Sequence, residues 1–286
     1  MNKQPQLVRS CQQIQETILQ LRAKRQRVGL VPTMGALHDG HLSLVAAARE
    51  QCDFVVVTIF VNPAQFEPGE DLDEYPRVLE NDLVQLAQLD VDLVFAPAEK
   101  EIYPAGFSTR VDPPASAQPW EGAHRPHHFS GVVTVVSKLF NIIPADVAFL
   151  GQKDYQQAMV IQQLVSDLNF PIEIEICPIV RNQDGLALSS RNQYLDPNQR
   201  KQATVLSRCL RWAQQRVDEA ERSAQSLTKG IREQLREAGV EAVDYVAIVD
   251  PATLVEVEQV DEPAMLLLAA HLGNVRLIDN CRLVPG

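Results

Sequence analysis

Apolar residues in the first two thirds of the chain fall into two alternating patterns. Val28–Val31 is a short apolar run, Phe54–Val61 is apolar on both faces as a central parallel strand is, and Asp92–Ala96, Asp146–Leu150 and Ile172–Cys177 read as further strands. Between them the apolar positions take helical spacing. Cys11, Ile14, Ile18 and Leu21 predict a helix over Ser10–Arg25 capped by Ser10, and Leu42, Leu44, Val45 and Ala48 predict one from His41 to about Gln51. Further helices are expected over Arg77–Leu89, Ser130–Ile143 and Tyr155–Leu168. Such alternation predicts an α/β fold, a Rossmann-like doubly wound parallel sheet with its sites at the carboxyl ends of the strands.

The pattern changes near residue 180. Arg181–Pro197 reads as a polar loop, then come helices over Asn198–Val217 and Ala224–Ala238 and strands at Asp244–Val249, Ala264–Ala270 and Arg276–Asp279. We therefore expect two domains, 1–180 and 181–286, the second a smaller α+β domain closing over the site of the first. Pro113–Arg125, rich in Pro, Ala and Gln, is expected to be a mobile loop or lid.

Composition narrows the classes of function. A net charge of −11 over 286 residues argues against a nucleic-acid surface, which needs clustered Lys and Arg. No apolar stretch approaches the ~20 residues of a membrane span, and the first residues lack a signal peptide's apolar core. Five scattered cysteines without Cys-x-x-Cys spacing suit reduced thiols and a cytoplasmic protein.

Four constellations carry candidate chemistry. The first is His38-Asp39-Gly40-His41, between the strand ending near Pro32 and the next helix. Two imidazoles three residues apart project to one side of a helix start, where unpaired amides and the helix dipole favour an anion. With Gly40 admitting a flat ring or phosphate against backbone, the stretch reads as a cradle for ATP. The bland alternative is a pair of surface histidines beside a turn.

The second, Gly151-Gln152-Lys153-Asp154-Tyr155-Gln156-Gln157, again closes a strand and opens a helix. Lys153 can place a mobile charge on a phosphate, Asp154 can cap the helix or meet a ribose, and Gln157 lies one turn inside. An ordinary capped helix with a surface lysine is the alternative. In the third, Leu188-Ser189-Ser190-Arg191-Asn192, two hydroxyls and a guanidinium suit a triphosphate, although such triplets also occur in loops that bind nothing.

The fourth is Asn62-Pro63-Ala64-Gln65-Phe66, at the end of a central strand. Gln65 offers a donor and an acceptor to a hydroxyl or carboxylate, and Phe66 shields it. Asp71, Asp73 and Asp82 follow and could hold Mg²⁺ through water, although such acids are more often solvated surface charges. His124-Arg125-Pro126-His127-His128 lacks the companions of a zinc site and reads better as a lid whose Arg125 and His128 meet a carboxylate.

Taken together, five stretches in order and spacing resemble the pantoate–β-alanine ligase family of the nucleotidyltransferase-like superfamily. They are Pro32–His41, Val61–Phe66, Asp71–Arg77, Gly151–Gln157 and Leu188–Asn192, spread over nearly the whole chain. The resemblance implies ATP-dependent condensation of (R)-pantoate with β-alanine through a pantoyl adenylate, releasing diphosphate and AMP, by a cytoplasmic homodimer. It implies ATP contacts from Met34, Gly35, Ala36, Leu37, His38, Asp39, Gly40 and His41, from Gly151, Gln152, Lys153 and Asp154, and from Val180, Leu188, Ser189, Ser190 and Arg191. Gln65 and Gln157 would grip pantoate, Gln65 also lying beside β-alanine, and His41 would be the proton donor. Gln152, Leu188 and His127 depart from the family's usual Glu, Met and Gly, and His127 would be strained if its position requires positive φ.

The chemistry agrees with that reading. A carboxylate attacking an α-phosphate brings two anions together, so cations must neutralise them; His38, His41, Lys153, Arg191 and Mg²⁺ can do so. A pocket of Met34, Phe60 and the Val132–Val136 helix face would suit branched pantoate. Three rivals remain. A nucleotidyltransferase proper would need a basic pocket for a phosphorylated acceptor, and an aminoacyl-tRNA synthetase a tRNA-binding domain. A non-catalytic ATP sensor would bind ATP and release no diphosphate.

Overall fold

The computed structural model describes residues 4–286 and divides into two compact units. One holds the described residues up to Gly151 together with Gln157–Pro178; the other holds Gln152–Gln156 and Ile179–Gly286.

Among the described residues, the first unit is built on a six-stranded parallel sheet. In chain order it comprises β1 (Gln6–Val8), α1 (Cys11–Ala23), β2 (Val28–Thr33), α2 (Asp39–Gln51), β3 (Phe54–Ile59), α3 (Leu79–Gln88), β4 (Leu93–Phe95), α4 (Glu99–Ile102), α5 (Glu121–His124), α6 (His128–Ile142), β5 (Val147–Gly151), α7 (Tyr155–Asp167) and β6 (Glu173–Cys177). The spatial order β1-β4-β3-β2-β5-β6 reverses direction between β2 and β5, so the fold is doubly wound. Ligands in such sheets bind beyond the strand ends at that reversal.

Burial explains the two-faced apolar runs. Leu30 and Val56 belong to the core shared with Ile14, Ile18, Val132 and Ile161, whereas their neighbours Val31, Val55 and Val57 belong to the core shared with Leu44, Val45 and Leu86. Adjacent strand residues point to opposite faces, and each face is covered by helices, so neither can be polar.

The second unit packs α9 (Thr204–Asp218) and α10 (Ala224–Glu237), preceded by α8 (Pro197–Gln202), on an antiparallel sheet of β7 (Val243–Val249), β8 (Ala264–Leu272) and β9 (Val275–Leu283). The single helix expected over Asn198–Val217 is two helices broken at Ala203. Two short elements are absent from the expectation: the edge strand β1, which buries only Val8, and the single helical turn α4. Pro113–Arg125, expected as a mobile loop or lid, carries a 3-10 turn at Ala115–Ala117 and the helical turn α5. No helix among the described residues is long and apolar enough to cross a membrane.

Candidate active site

Beyond β2 the chain makes a turn that no ordinary backbone would make unaided. Gly35 has φ +86° and Ala36, which carries a Cβ, has φ +52°. A Cβ on Gly35 would lie 2.9 Å from Ile59 Cγ2, so only glycine fits. The left-handed Ala36 costs energy that its surroundings must offset. Asp82, on α3 and fully buried, accepts the amide of Ala36 at 3.0 Å and that of Leu37 at 2.9 Å. Burial raises its pKa, and the two amides pull the other way.

That burial corrects the expectation of Asp82 as a solvated surface charge. Its oxygens are directed at backbone amides, and no three His, Cys, Asp or Glu residues gather into a metal-holding group among the described residues.

The turn delivers His38 to the N-cap of α2. Its Nδ1 accepts the amide of Gly40 at 3.1 Å, while Nδ1 of His41 accepts the amide of His38 at 3.4 Å. The two rings lie 4.1 Å apart at 37°. Each imidazole thus works as a cap, satisfying amides at the helix start. A ring whose Nδ1 accepts a hydrogen bond holds its proton on Nε2 when neutral. Both histidines therefore carry an Nε2–H donor at the positive end of a helix dipole.

Gln65 stands in a 3-10 turn, Pro63–Gln65, beyond β3. Its Nε2 donates to Met34 Sδ at 3.0 Å and its Oε1 accepts from Asn62 Nδ2 at 3.1 Å. Its backbone carbonyl accepts from Arg125 Nη2 at 3.3 Å and His128 Nδ1 at 2.9 Å. Gly131 lets α6 approach this turn, since a Cβ there would collide with the Ala64 carbonyl. Phe60, Val132 and Val136 are core residues beneath it, at most 7 % exposed, rather than open pocket walls.

Arg125 and His128 therefore meet protein acceptors in this structure. Arg125 grips Glu70 with two bonds of 2.6 and 2.7 Å. Burial works against ionisation of Glu70, yet Arg125 beside it holds the carboxyl below its ordinary value. His128 is 7 % exposed; burial, then the charge of Arg125, push its pKa down to about 4. At neutral pH it is an uncharged donor to Gln65. His127 has φ −101°, so the expected strain is absent, and its amide donates to Glu67 at 2.7 Å.

Asn62 is a functional candidate that sequence reasoning left without a role. It is 1 % exposed, accepts from Tyr103 at 2.8 Å, and orients Gln65. The available signal was a lone amide ending an apolar strand. Gln157 occupies the first turn of α7, half-buried.

The second unit carries the remaining candidates. Gln152, Lys153 and Asp154 form a 3-10 turn in which Lys153 Nζ lies 3.5 Å from Asp154. Val180 and Leu188 close a hairpin, with the Leu188 amide donating to the Val180 carbonyl at 3.0 Å. From it emerges Ser189, whose hydroxyl caps the 3-10 turn Ser190–Tyr194 that bears Arg191.

Comparison with known proteins concerns the chain as a whole. The pantoate-beta-alanine ligase family model matches residues 6–282. A pantothenate synthetase of Koribacter versatilis is 50 % identical over 274 residues, covering 96 % of this chain and 94 % of the relative. One from Roseiflexus castenholzii is 52 % identical, covering 93 % and 97 %. A crystal structure of pantothenate synthetase from Thermus thermophilus superposes with a TM-score of 0.93 at 43 % identity, covering 98 % and 100 %. The Francisella tularensis pantoate-beta-alanine ligase, complexed with beta-gamma ATP and beta-alanine, gives 0.81 at 38 % identity, covering 97 % of each chain.

Proposed function

Because the chain belongs to the pantoate–β-alanine ligase family, we propose that it condenses (R)-pantoate with β-alanine in an ATP-dependent reaction passing through a pantoyl adenylate. A pantoate carboxylate oxygen attacks the α-phosphorus of ATP, forming a C–O–P link as the bond to diphosphate breaks. The β-alanine amine then attacks the acyl carbon, loses a proton and displaces AMP, leaving the amide. The first step makes a leaving group that a bare carboxylate lacks.

The observation that carries this reading is the reciprocal capping of His38 and His41 at the start of α2. It fixes two Nε2–H donors where the helix dipole also favours an anion, so charge developing on phosphate oxygens is stabilised without reorganisation. In this assignment His41 donates to the reacting phosphate and His38 supports it. Met34, Gly35, Ala36, Leu37, Asp39 and Gly40 form the rest of that ATP cradle. Lys153 supplies a point charge beside Gly151, Gln152 and Asp154, while Val180, Leu188, Ser189, Ser190 and Arg191 complete the contacts to the nucleotide.

Gln65 and Gln157 hold pantoate, and Gln65 also lies beside β-alanine. Support comes from the bonds that fix Gln65 through both its side chain and its carbonyl. Arg125 and His128 serve this pocket by holding Gln65. Mg²⁺ enters as the companion of ATP's phosphates, where it would neutralise charge; no step here depends on a protein ligand for it. The family resemblance further supports a cytoplasmic homodimer, and the five free cysteines agree with a reducing compartment.

The test is product analysis. With ATP and (R)-pantoate alone, diphosphate should be released to the level of enzyme sites; adding β-alanine should give steady AMP and an amide product. An ATP-binding sensor would release neither.

A further inference from the structure

Asn280, on β9, is 3 % exposed and spends its whole side chain on one short segment. Its Nδ2 donates to the carbonyls of Gln152 and Lys153, each at 2.9 Å, and its Oδ1 accepts from Gln152 Nε2 at 3.1 Å. The neighbouring Asp279, also 3 % exposed, pairs with Arg181 at 2.6 and 2.8 Å and accepts the Asn280 amide at 2.8 Å. Arg181 in turn donates to the Gly185 carbonyl at 3.1 Å, inside the hairpin that ends at Leu188. A β-sheet residue with two backbone carbonyls on one amide is an unusual expense of polar groups in a core, and unpaired they would cost more than they contribute.

We propose that Asn280 is a positioning residue for the reaction: by binding the carbonyls on either side of the Lys153 Cα, those of Gln152 and of Lys153 itself, it sets where the Lys153 ammonium is presented to the phosphates of ATP. Lys153 carries its charge on a flexible four-carbon stem beside Asp154, so fixing its backbone sets the point from which the ammonium reaches out. Tyr155 adds a second anchor through its hydroxyl, which donates to the Pro251 carbonyl at 2.9 Å. Asp279 and Arg181 brace β9 at that point and tie the same anchor to the hairpin of Val180 and Leu188. This inference rests on the assignment of Lys153 to ATP made above.

The experiment is a double-mutant cycle in the full chain. Asn280→Leu removes the donors at similar volume, and Asn280→Asp keeps the shape while turning donor into acceptor. Each is combined with Lys153→Ala, ATP affinity is measured by calorimetry, and pantoate-dependent diphosphate release is titrated separately in ATP and in pantoate. Either Asn280 variant should weaken ATP use by ~10-fold or more, as lost hydrogen bonds to positioned groups do, with the pantoate requirement held within ~2-fold. In the Lys153→Ala background the further loss of ATP affinity should be under ~2-fold, because the residue acted through is gone. Full additivity, an equal effect on pantoate, or normal ATP use would overturn the proposal, as would loss of the fold in both variants, which would make Asn280 structural. If the unaltered protein released no diphosphate with pantoate, the ligase reading itself would fall, a result separable from all of these.

Discussion

Asp82 accepts the amide of Leu37 at 2.9 Å from a position 45 residues along the chain, itself buried in the first turn of a different helix. The bond, with its twin to Ala36, holds the left-handed turn that aims His38 and His41. Asp82→Asn should destabilise the protein by about 1–3 kcal/mol, since one amide then faces an NH₂ group in a buried place. Diphosphate release should fall with it, while the far-ultraviolet spectrum stays native. Urea unfolding and an ATP titration check this; an unchanged unfolding midpoint would remove the turn from Asp82's account.

His41→Ala deletes both a cap and the proposed donor to the phosphate. Stability should fall by about 1 kcal/mol, the usual worth of an N-cap contact, and adenylation by ~100-fold or more, the usual cost of a lost transition-state donor. The two effects are separable by measuring folding and diphosphate release on one preparation. A folded variant with near-normal turnover would take His41 out of the chemistry.

Much of this arrangement is visible in the sequence for a physical reason. Val28–Thr33 and Phe54–Ile59 are covered by helices on both faces, so apart from Thr33 and the buried Thr58 they are apolar and announce themselves. His38 and His41 stand out because a helix pattern begins immediately after them. What stays hidden depends on partners far along the chain. Asp82 looks like any acid on an amphipathic helix until Ala36 and Leu37 are placed above it. Asn280 lies beyond the expected end of its strand at Asp279, and nothing local says that it meets Lys153. The break between α8 and α9 at Ala203 has neither Gly nor Pro to mark it. Arg125 and His128 suggest partners of a carboxylate by residue type, yet the acceptors they meet, Glu70 and the Gln65 carbonyl, are set by tertiary packing.

His128 gives the protein a defined acid response. Its folded pKa of about 4 lies below the ordinary 6.5, so between these values the unfolded chain takes up a proton that the folded chain refuses. Stability is fully present above the unfolded value and is lost as pH falls toward the folded one, by about 3 kcal/mol in all. His128→Asn keeps a donor near Gln65 without the titration. Its urea midpoint should fall less steeply than the parent's between about pH 7 and about 4. Parallel curves would show that His128 does not govern this range.

Gln65→Ala and Gln157→Ala should each raise the requirement for pantoate while leaving ATP affinity nearly intact. A substrate oxygen left without its partner in a desolvated pocket costs about 1–3 kcal/mol, or roughly ten- to hundredfold in pantoate. Separate titrations of the two substrates decide it. Equal losses for ATP and pantoate would mean the glutamines serve the whole fold rather than one pocket.

The central claim is that the pantoate carboxylate becomes bonded to the α-phosphate of ATP before the amine attacks. Pantoate labelled with ¹⁸O in its carboxylate reports this directly, because expulsion of AMP carries one carboxylate oxygen away on phosphorus. Mass spectrometry of the products should find one ¹⁸O in AMP for each amide formed, with none in diphosphate. Label appearing in orthophosphate alongside ADP, or AMP free of label, would contradict the account.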